Sequence, residues 1–158
     1  MFKNDKTALA VIKGGNLYPN INGIVYFCEV PGGTEIKATI CGLPPYKPAT
    51  STTQPAGPFG FHIHEYGICE ITDSNNPFQS AGGHYNPTNQ PHGNHSGDLP
   101  VIFSNSGYSM MRVFTDKFTV DDIIGKSILI HENPDDYRTQ PAGNSGKRIA
   151  CGVICRVE

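Results

Sequence analysis

The chain has 158 residues, with 12 Lys and Arg against 14 Asp and Glu, for a formal net charge of −2. This length fits a single domain, residues 1–158, and without a basic excess neither nucleic acid nor an anionic membrane is expected as a partner. No apolar run approaches membrane-spanning length. The segment Met1 to Lys6 lacks the apolar core of a secretory signal, so the chain is expected in the cytoplasm, or exported if a leader was removed.

The first third of the chain predicts short strands, in keeping with its high content of Gly and Pro. Residues 6–14 and 22–30 have strand composition, and a Pro-Gly-Gly turn follows. In residues 34–43, apolar side chains alternate with charged and hydroxyl ones, as in a half-buried antiparallel strand. The proline-rich residues 44–58 cannot sustain a strand ladder and are interpreted as a surface loop, with a proline-motif ligand as the alternative.

Two histidines lie two residues apart in the next strand, around residues 59–67. Because successive side chains of a strand point to opposite faces, His62 and His64 project from the same side. Residues 67–98 have neither helical nor strand periodicity. A loop this long in a small domain needs metal coordination or a disulfide to hold it.

The remainder returns to strand patterns, with one helical turn expected at residues 120–125. Further strands are predicted at residues 100–105, 108–115, 127–132 and 148–157. A second long loop covers residues 133–147. Eight short strands and two long functional loops predict an all-β sandwich or barrel.

Five cysteines are too few for a disulfide scaffold, and none form a C-x-x-C pair. Cys28 and Cys41 flank the first turn at unequal offsets, so they should not face each other. We interpret both as small buried apolar residues. The odd count leaves at least one thiol free.

The six histidines divide into two candidate metal sites. Three histidines and a carboxylate, enough to complete a tetrahedral zinc shell, are closely spaced in the first long loop: His84, His92, His95 and Asp98. Three histidines remain for a second site: His62, His64 and His131. An array of three or four imidazoles suits Cu(II).

Five motifs, in order along nearly the whole chain, resemble those of copper/zinc superoxide dismutases. They are GFHIHEYG (60–67), SAGGHYNP (80–87), HSGDLP (95–100), IHENPDD (130–136) and GNSGKRIACGVI (143–154). The segment 67–70 is similar to bacterial members. The resemblance implies an eight-stranded Greek-key fold of immunoglobulin-like type.

The resemblance also implies two metal cofactors, Cu and Zn. The implied copper ligands are His62, His64, His84 and His131. The implied zinc ligands are His84, His92, His95 and Asp98. His84 would be an imidazolate that bridges both ions and later holds one of the protons of the reaction.

Three further roles follow from the same resemblance. Asp135 matches a carboxylate that links a copper histidine to a zinc histidine, although Asn-Pro-Asp-Asp is also a turn sequence. Arg148 matches an arginine at the mouth of the copper site, against the alternative of an ordinary surface charge. Cys69 and Cys151 match an intrasubunit disulfide; the alternatives are two free thiols, or Cys155 as a partner.

Two features depart from the family pattern. Only two residues separate His92 from His95, so one of these rings could be a weak zinc ligand. The loop 136–146 is short and lacks the acidic and lysine cluster that guides substrate in animal enzymes. Arg138, Lys147 and Arg148 are then the candidates for a local positive field.

The expected function is that of a superoxide dismutase, an antioxidant enzyme that converts superoxide to O₂ and H₂O₂ by cycling copper between Cu(II) and Cu(I). A non-catalytic copper or zinc protein of the same fold, for storage or structure, is the first alternative. A zinc hydrolase is the second, which a closed four-ligand shell disfavours. Expected partners are superoxide, a second copy in a homodimer, and a copper chaperone.

Overall fold

Short strand-forming segments between turns build one antiparallel sheet of seven strands in this computed structural model, which describes residues 6–157. The elements are β1 (Thr7–Gly14), β2 (Asn22–Val30), β3 (Gly33–Cys41), β4 (Phe61–His64), a short 3₁₀ helix (Gln79–Ala81), β5 (Ser109–Thr115), α1 (Val120–Ile123), β6 (Ser127–His131) and β7 (Arg148–Arg156). Most of the segment Met1 to Lys6, the basis of the cytoplasmic expectation, lies outside the described residues.

The sheet order is β4-β6-β7-β1-β2-β3-β5, and every neighbouring pair is antiparallel. After β3 the chain crosses the sheet to form β4 at one edge. It then returns to form β5 at the opposite edge, next to β3. Such long crossovers between edges are typical of Greek-key β-structures. The all-β class is therefore confirmed.

Alternation along the central strands places one apolar face in the core. Ala10 of β1 lies opposite Val25 of β2, which in turn lies opposite Ala38 of β3, and all three are buried. Phe27 is fully buried, whereas its neighbour Tyr26 is 44% exposed on the outer face. The same core includes Phe59, Phe61 and Ile63, so it supports the histidine strand directly.

Seven strands form rather than eight because residues 100–105 do not make a ladder. Ile102 forms one isolated bridge with Phe59, and Asn105 forms another with Tyr108. Pro100 has no amide hydrogen to donate, and the Val101 amide donates to the Tyr137 hydroxyl at 2.9 Å instead of to a strand. The other predicted strands form within a few residues of their expected bounds.

The cysteine interpretation is half right. Cys28 is opposite Glu35 and Cys41 is opposite Asn22, so the two do not face each other. Cys28 is half-buried, but Cys41 is exposed, because strand alternation places Ile40 in the core and turns the next side chain outward. No helix in residues 6–157 is long and apolar enough to cross a membrane.

Substitution Phe27→Ala should lower the free energy of unfolding of the metal-free, oxidised protein by about 3–5 kcal/mol, because it leaves a cavity in the core. The matched control is Tyr26→Ala on the opposite face of the same strand, with an expected loss of about 1 kcal/mol or less. Urea titration measures both. Equal losses would contradict the assignment of the two faces.

Candidate metal centre

Strands β4 and β6 present three histidines on the side of the sheet that faces the two long loops. His62 and His64 alternate with the core residues Phe61 and Ile63 and are fully buried. His131 ends β6, where the pairing with β7 is irregular between Ile130 and His131. The rigid sheet therefore fixes the backbone of all three rings.

The first long loop packs against the edge of β4 that is not paired with β6. Isolated bridges pair His64 with His84 and His62 with Asp98. A Cβ atom at position 97 would lie 2.3 Å from the carbonyl oxygen of Ile63, so only glycine permits this approach. This backbone pairing places His84 and Asp98 of the loop next to the strand histidines.

Two groups of four candidate ligand residues result, and within each group the ligand atoms all lie within 4.8 Å of one another. A smaller third set, His62, Asp98 and Asp135, meets the same distance limit. The first group consists of His62, His64, His84 and His131. The second consists of His84, His92, His95 and Asp98. These are the two sets expected from the sequence, and His84 belongs to both.

Asp135 links the two groups by accepting a hydrogen bond from one histidine ring of each. Its Oδ2 atom lies 2.6 Å from His62 Nε2, and its Oδ1 atom lies 2.8 Å from His92 Nε2. Burial raises the pKa of Asp135, but hydrogen bonds from both rings and the Tyr137 amide outweigh this effect and lower it below its usual range. An ionised carboxylate requires a hydrogen on each Nε2, and in a neutral imidazole Nδ1 is then the acceptor.

Neither of those acceptors takes part in a hydrogen bond within the described residues. The buried atoms His62 Nδ1, His84 Nε2, His92 Nδ1 and His95 Nδ1 make no hydrogen bond within the described part of the chain. Buried polar atoms without partners are rare, and a bound ion or water is a common explanation. Two further such atoms, the hydroxyl oxygens of Ser80 and Ser145, lie outside the ligand groups. The four ring nitrogens all belong to the groups defined above, so the residues fit metal ions.

The facing rings of His64 and His131 give independent support. Their Nδ1 hydrogens point to the carbonyl oxygens of Gly82 and Gly146, at 3.0 and 3.4 Å. Their Nε2 atoms lie 3.2 Å apart. Because burial lowers the pKa of both rings well below the usual value, they are neutral and these two lone pairs face each other. A cation bound between such atoms removes the repulsion.

Asp98 is the anionic member of the second group. Its Oδ1 atom lies 2.8 Å from His84 Nδ1 and 3.3 Å from His95 Nδ1, and its Oδ2 atom lies 3.3 Å from His92 Nδ1. Burial raises the pKa of Asp98, but hydrogen bonds and nearby imidazoles lower it overall to about 2. The short segment between His92 and His95 therefore places both rings against one ionised carboxylate.

Arg148 borders an open cavity of about 510 Å³ that His84, His131 and Glu65 also line. Its Nη1 donates to the Phe78 carbonyl at 2.7 Å, and its Nη2 donates to the Gly82 carbonyl at 2.6 Å. Among residues 6–157 no carboxylate forms a salt bridge with it. Its charge therefore remains available to an anion in this cavity.

The other two candidate cations lie elsewhere. Arg138 and Lys147 are both exposed, and neither lines the cavity beside Arg148. Glu65 does line it and accepts a hydrogen bond from the Gly83 amide. The local positive field at the cavity is thus concentrated on one guanidinium group.

A disulfide joins Cys69 to Cys151, as the sequence resemblance implied. Around it pack Phe78, Ala81 and Leu129, which form a small apolar cluster. Cys155 is free and exposed. The bond fastens the first long loop to β7, near the carbonyl groups that hold Arg148.

Two side chains at the site were missed by the sequence analysis. Tyr137 and Gln140 lie in the second long loop and hydrogen-bond to the backbone around the second ligand group. Loops have no periodicity, and contacts to backbone atoms depend on position more than on residue type. No pattern in the sequence could have identified them.

An all-β domain in which two buried ligand groups share one imidazole defines a dinuclear metalloprotein. A family model described as copper/zinc superoxide dismutase (SODC) matches residues 21–154. The chain belongs to the copper/zinc superoxide dismutase family. Its enzyme class is accordingly that of an oxidoreductase, and copper and zinc are the metals that the family implies.

Individual relatives agree with this assignment. A Cu-Zn superoxide dismutase of Aquifex aeolicus is 35% identical over 154 residues, covering 88% of this chain and 82% of the relative. An extracellular Cu-Zn superoxide dismutase of Onchocerca volvulus is 32% identical and covers 94% of this chain and 75% of its own length. The solved Cu/Zn superoxide dismutase from Brucella abortus superposes with a TM-score of 0.74 at 29% identity, covering 93% of this chain and 98% of that one.

Substitution Asp135→Asn should weaken zinc binding about 10- to 100-fold, because an amide cannot accept hydrogen bonds from both rings. Competition with a chromophoric chelator measures the dissociation constant. Asp116→Asn, at an exposed position, is the control. An unchanged constant in Asp135→Asn would contradict an orienting role for this carboxylate.

Substitution Cys69→Ser should lower the free energy of unfolding by about 2–5 kcal/mol, because the bond closes a long loop of the unfolded chain. Chemical denaturation under non-reducing conditions measures the loss. Cys155→Ser removes a free, exposed thiol and should leave stability within about 0.5 kcal/mol of the parent. Similar effects of both variants would argue against the observed pairing.

Proposed function

We propose that this chain dismutates superoxide at a copper ion held by His62, His64, His84 and His131, next to a structural zinc held by His84, His92, His95 and Asp98. The single observation that carries the proposal is His84, which belongs to both groups: its Nδ1 lies 2.8 Å from Asp98 Oδ1, and its buried Nε2 has no hydrogen-bond partner in the described residues. One imidazole with a nitrogen in each group is suited to bridge two ions.

The ligand types support the division between the metals. An all-imidazole group suits copper, whereas three imidazoles and a carboxylate suit a closed zinc shell. Copper, when bound, supplies one-electron chemistry, oxidising one superoxide to O₂ and reducing a second, which leaves as H₂O₂ with two protons. The closed zinc shell also disfavours a hydrolase, which needs an open coordination position.

The chain's own residues attract and bind the substrate anion and hold one of the protons that the reaction consumes. Arg148 attracts superoxide into the cavity and holds it beside His131 and His84. His84 Nε2 is proposed to hold one of the protons that leave with the peroxide. Asp135 keeps His62 and His92 in the tautomers that present Nδ1.

A homodimer and copper delivery by a chaperone are also proposed, from the family resemblance. For the dimer, an apolar groove on the outer face of β1 and β7, lined by Val11, Ile71 and Val153, is a candidate contact surface. Sedimentation equilibrium of the parent and of Val11→Glu tests this. The cytoplasmic location stays a prediction, which fractionation of the native cells would test.

Elemental analysis of protein loaded with copper and zinc, together with a dismutation assay on the same sample, tests the proposed function. We expect one copper and one zinc per chain and rapid turnover. Zinc alone, without activity after copper loading, would instead support the non-catalytic alternative.

Substitution Arg148→Ala should lower kcat/KM about 10-fold or more with copper retained, because the cavity loses its focused positive charge. Arg148→Lys should recover part of the rate, and rising ionic strength should slow the parent more than Arg148→Ala. His64→Ala should abolish turnover while zinc remains bound. Unchanged rates in both alanine variants would refute the mechanism.

A further inference from the structure

The side chain of Gln140, in the second long loop, hydrogen-bonds to both the amide and the carbonyl of His92, a member of the second ligand group. The His92 amide donates to Gln140 Oε1 at 2.8 Å, and Gln140 Nε2 donates to the His92 carbonyl at 3.3 Å. Nε2 also donates to the Arg138 carbonyl at 3.2 Å, which fixes the orientation of the side-chain amide. The side chain thus pairs with His92 as a neighbouring strand would.

Tyr137 of the same loop holds the chain just beyond Asp98. Its hydroxyl donates to the Leu99 carbonyl at 3.0 Å and accepts a hydrogen bond from the Val101 amide at 2.9 Å. Together, Gln140 and Tyr137 bind the backbone on both sides of the segment that carries His92, His95 and Asp98. We call this set of contacts the loop clamp.

The segment needs such support because it has no regular structure of its own. The amides of Gly93 and His95 donate to Asp98 Oδ2, at 2.8 and 3.0 Å, so the turn is organised around a ligand side chain. The His92 amide finds its acceptor in the other loop. Fixing an irregular backbone costs conformational entropy, which such contacts offset.

From this geometry we propose that Gln140 and Tyr137 are positioning residues for zinc, acting through the backbone of the short segment between His92 and Asp98. The inference rests on the proposed function, because it takes His92, His95 and Asp98 as zinc ligands. By fixing both ends of their segment, the loop clamp allows the closely spaced His92 and His95 to bind the same zinc ion. Neither side chain hydrogen-bonds to a ring nitrogen or carboxylate oxygen of the two groups, so neither is a catalytic residue. Tyr137 reaches Asp135 only through its backbone amide, at 2.6 Å, which Tyr137→Phe retains.

Zinc affinity of the full-length, oxidised protein is the direct test, measured by chelator competition on Gln140→Ala and Tyr137→Phe. Each variant should raise the zinc dissociation constant about 10-fold, the effect typical of groups that orient metal ligands. Gln140→Glu keeps an acceptor for the His92 amide but loses the donor, so a smaller rise of about 3-fold is expected. Cu(II) affinity should change less than zinc affinity, because His92 reaches the copper ligands only indirectly, through Asp135 and His62.

Gln54→Ala and Tyr46→Phe are the matched controls, since both residues are exposed in the loop 44–58. They should leave the zinc dissociation constant unchanged. Co²⁺ bound in place of zinc gives a second readout. A positioning role predicts altered visible absorption of the bound Co²⁺, whereas a role in stability alone leaves the spectrum of the bound ion unchanged.

The outcomes separate this inference from the proposed function. If the parent binds zinc tightly and both clamp variants match it within about 2-fold, the positioning role is wrong while the metal assignment stands. An unaltered Co²⁺ spectrum in both variants also overturns it. A parent that binds neither zinc nor Co²⁺ refutes both proposals. If Gln140→Ala does not fold, Gln140→Glu and Tyr137→Phe decide the question.

Discussion

The buried carboxylate of Asp135 is the interaction on which the geometry of both ligand groups depends. Its two oxygens accept hydrogen bonds from His62 Nε2 and His92 Nε2, and the Tyr137 amide adds a third at 2.6 Å. Burying a charge is costly unless it is hydrogen-bonded, and three donors offset that cost here. Because each ring keeps its hydrogen on Nε2, Nδ1 of the neutral ring is the atom left to accept a metal ion. A contact outside the two ligand groups therefore selects the tautomers within them.

The sheet and the loops contribute in different ways to this arrangement. Strand β4 packs on the core through Phe61 and Ile63 and pairs with β6, so the backbone positions of His62 and His64 are fixed by the sheet. The loop residues lack such support, and they are held by the disulfide, by backbone bridges to β4 and by polar contacts between the loops. Gly143 shows how tight these contacts are, since a Cβ atom there would lie 1.9 Å from Asp135 Oδ1. The loops can carry ligands because backbone groups beside those ligands, such as the His92 amide, have specific partners.

Much of the fold could be predicted from the sequence, because strand alternation is a local property. The strand around His62, the outward and inward faces of β3 and the grouping of ligands by spacing all follow from such patterns. Residues 100–105 look equally apolar, yet they form only bridges, because the Tyr137 hydroxyl takes the hydrogen bonds of Leu99 and Val101. That competition joins positions far apart in the chain. The exposure of Cys41 was also missed, although alternation from Ile40 would have given it.

The Gly82 carbonyl contacts both a candidate ligand ring and the guanidinium group that is proposed to attract the substrate. It accepts hydrogen bonds from His64 Nδ1 at 3.0 Å and from Arg148 Nη2 at 2.6 Å. Gly82 has a φ of +76°, a backbone conformation that favours glycine, and a Cβ atom there would lie 2.7 Å from the Tyr66 ring. The loop can therefore direct this carbonyl to both groups only with glycine at this position. Because the Cys69–Cys151 disulfide ties the same loop to the strand that carries Arg148, a displacement of the loop would move the imidazole and the guanidinium together. One backbone oxygen thus holds both the guanidinium proposed to attract the anion and the ring proposed to bind copper.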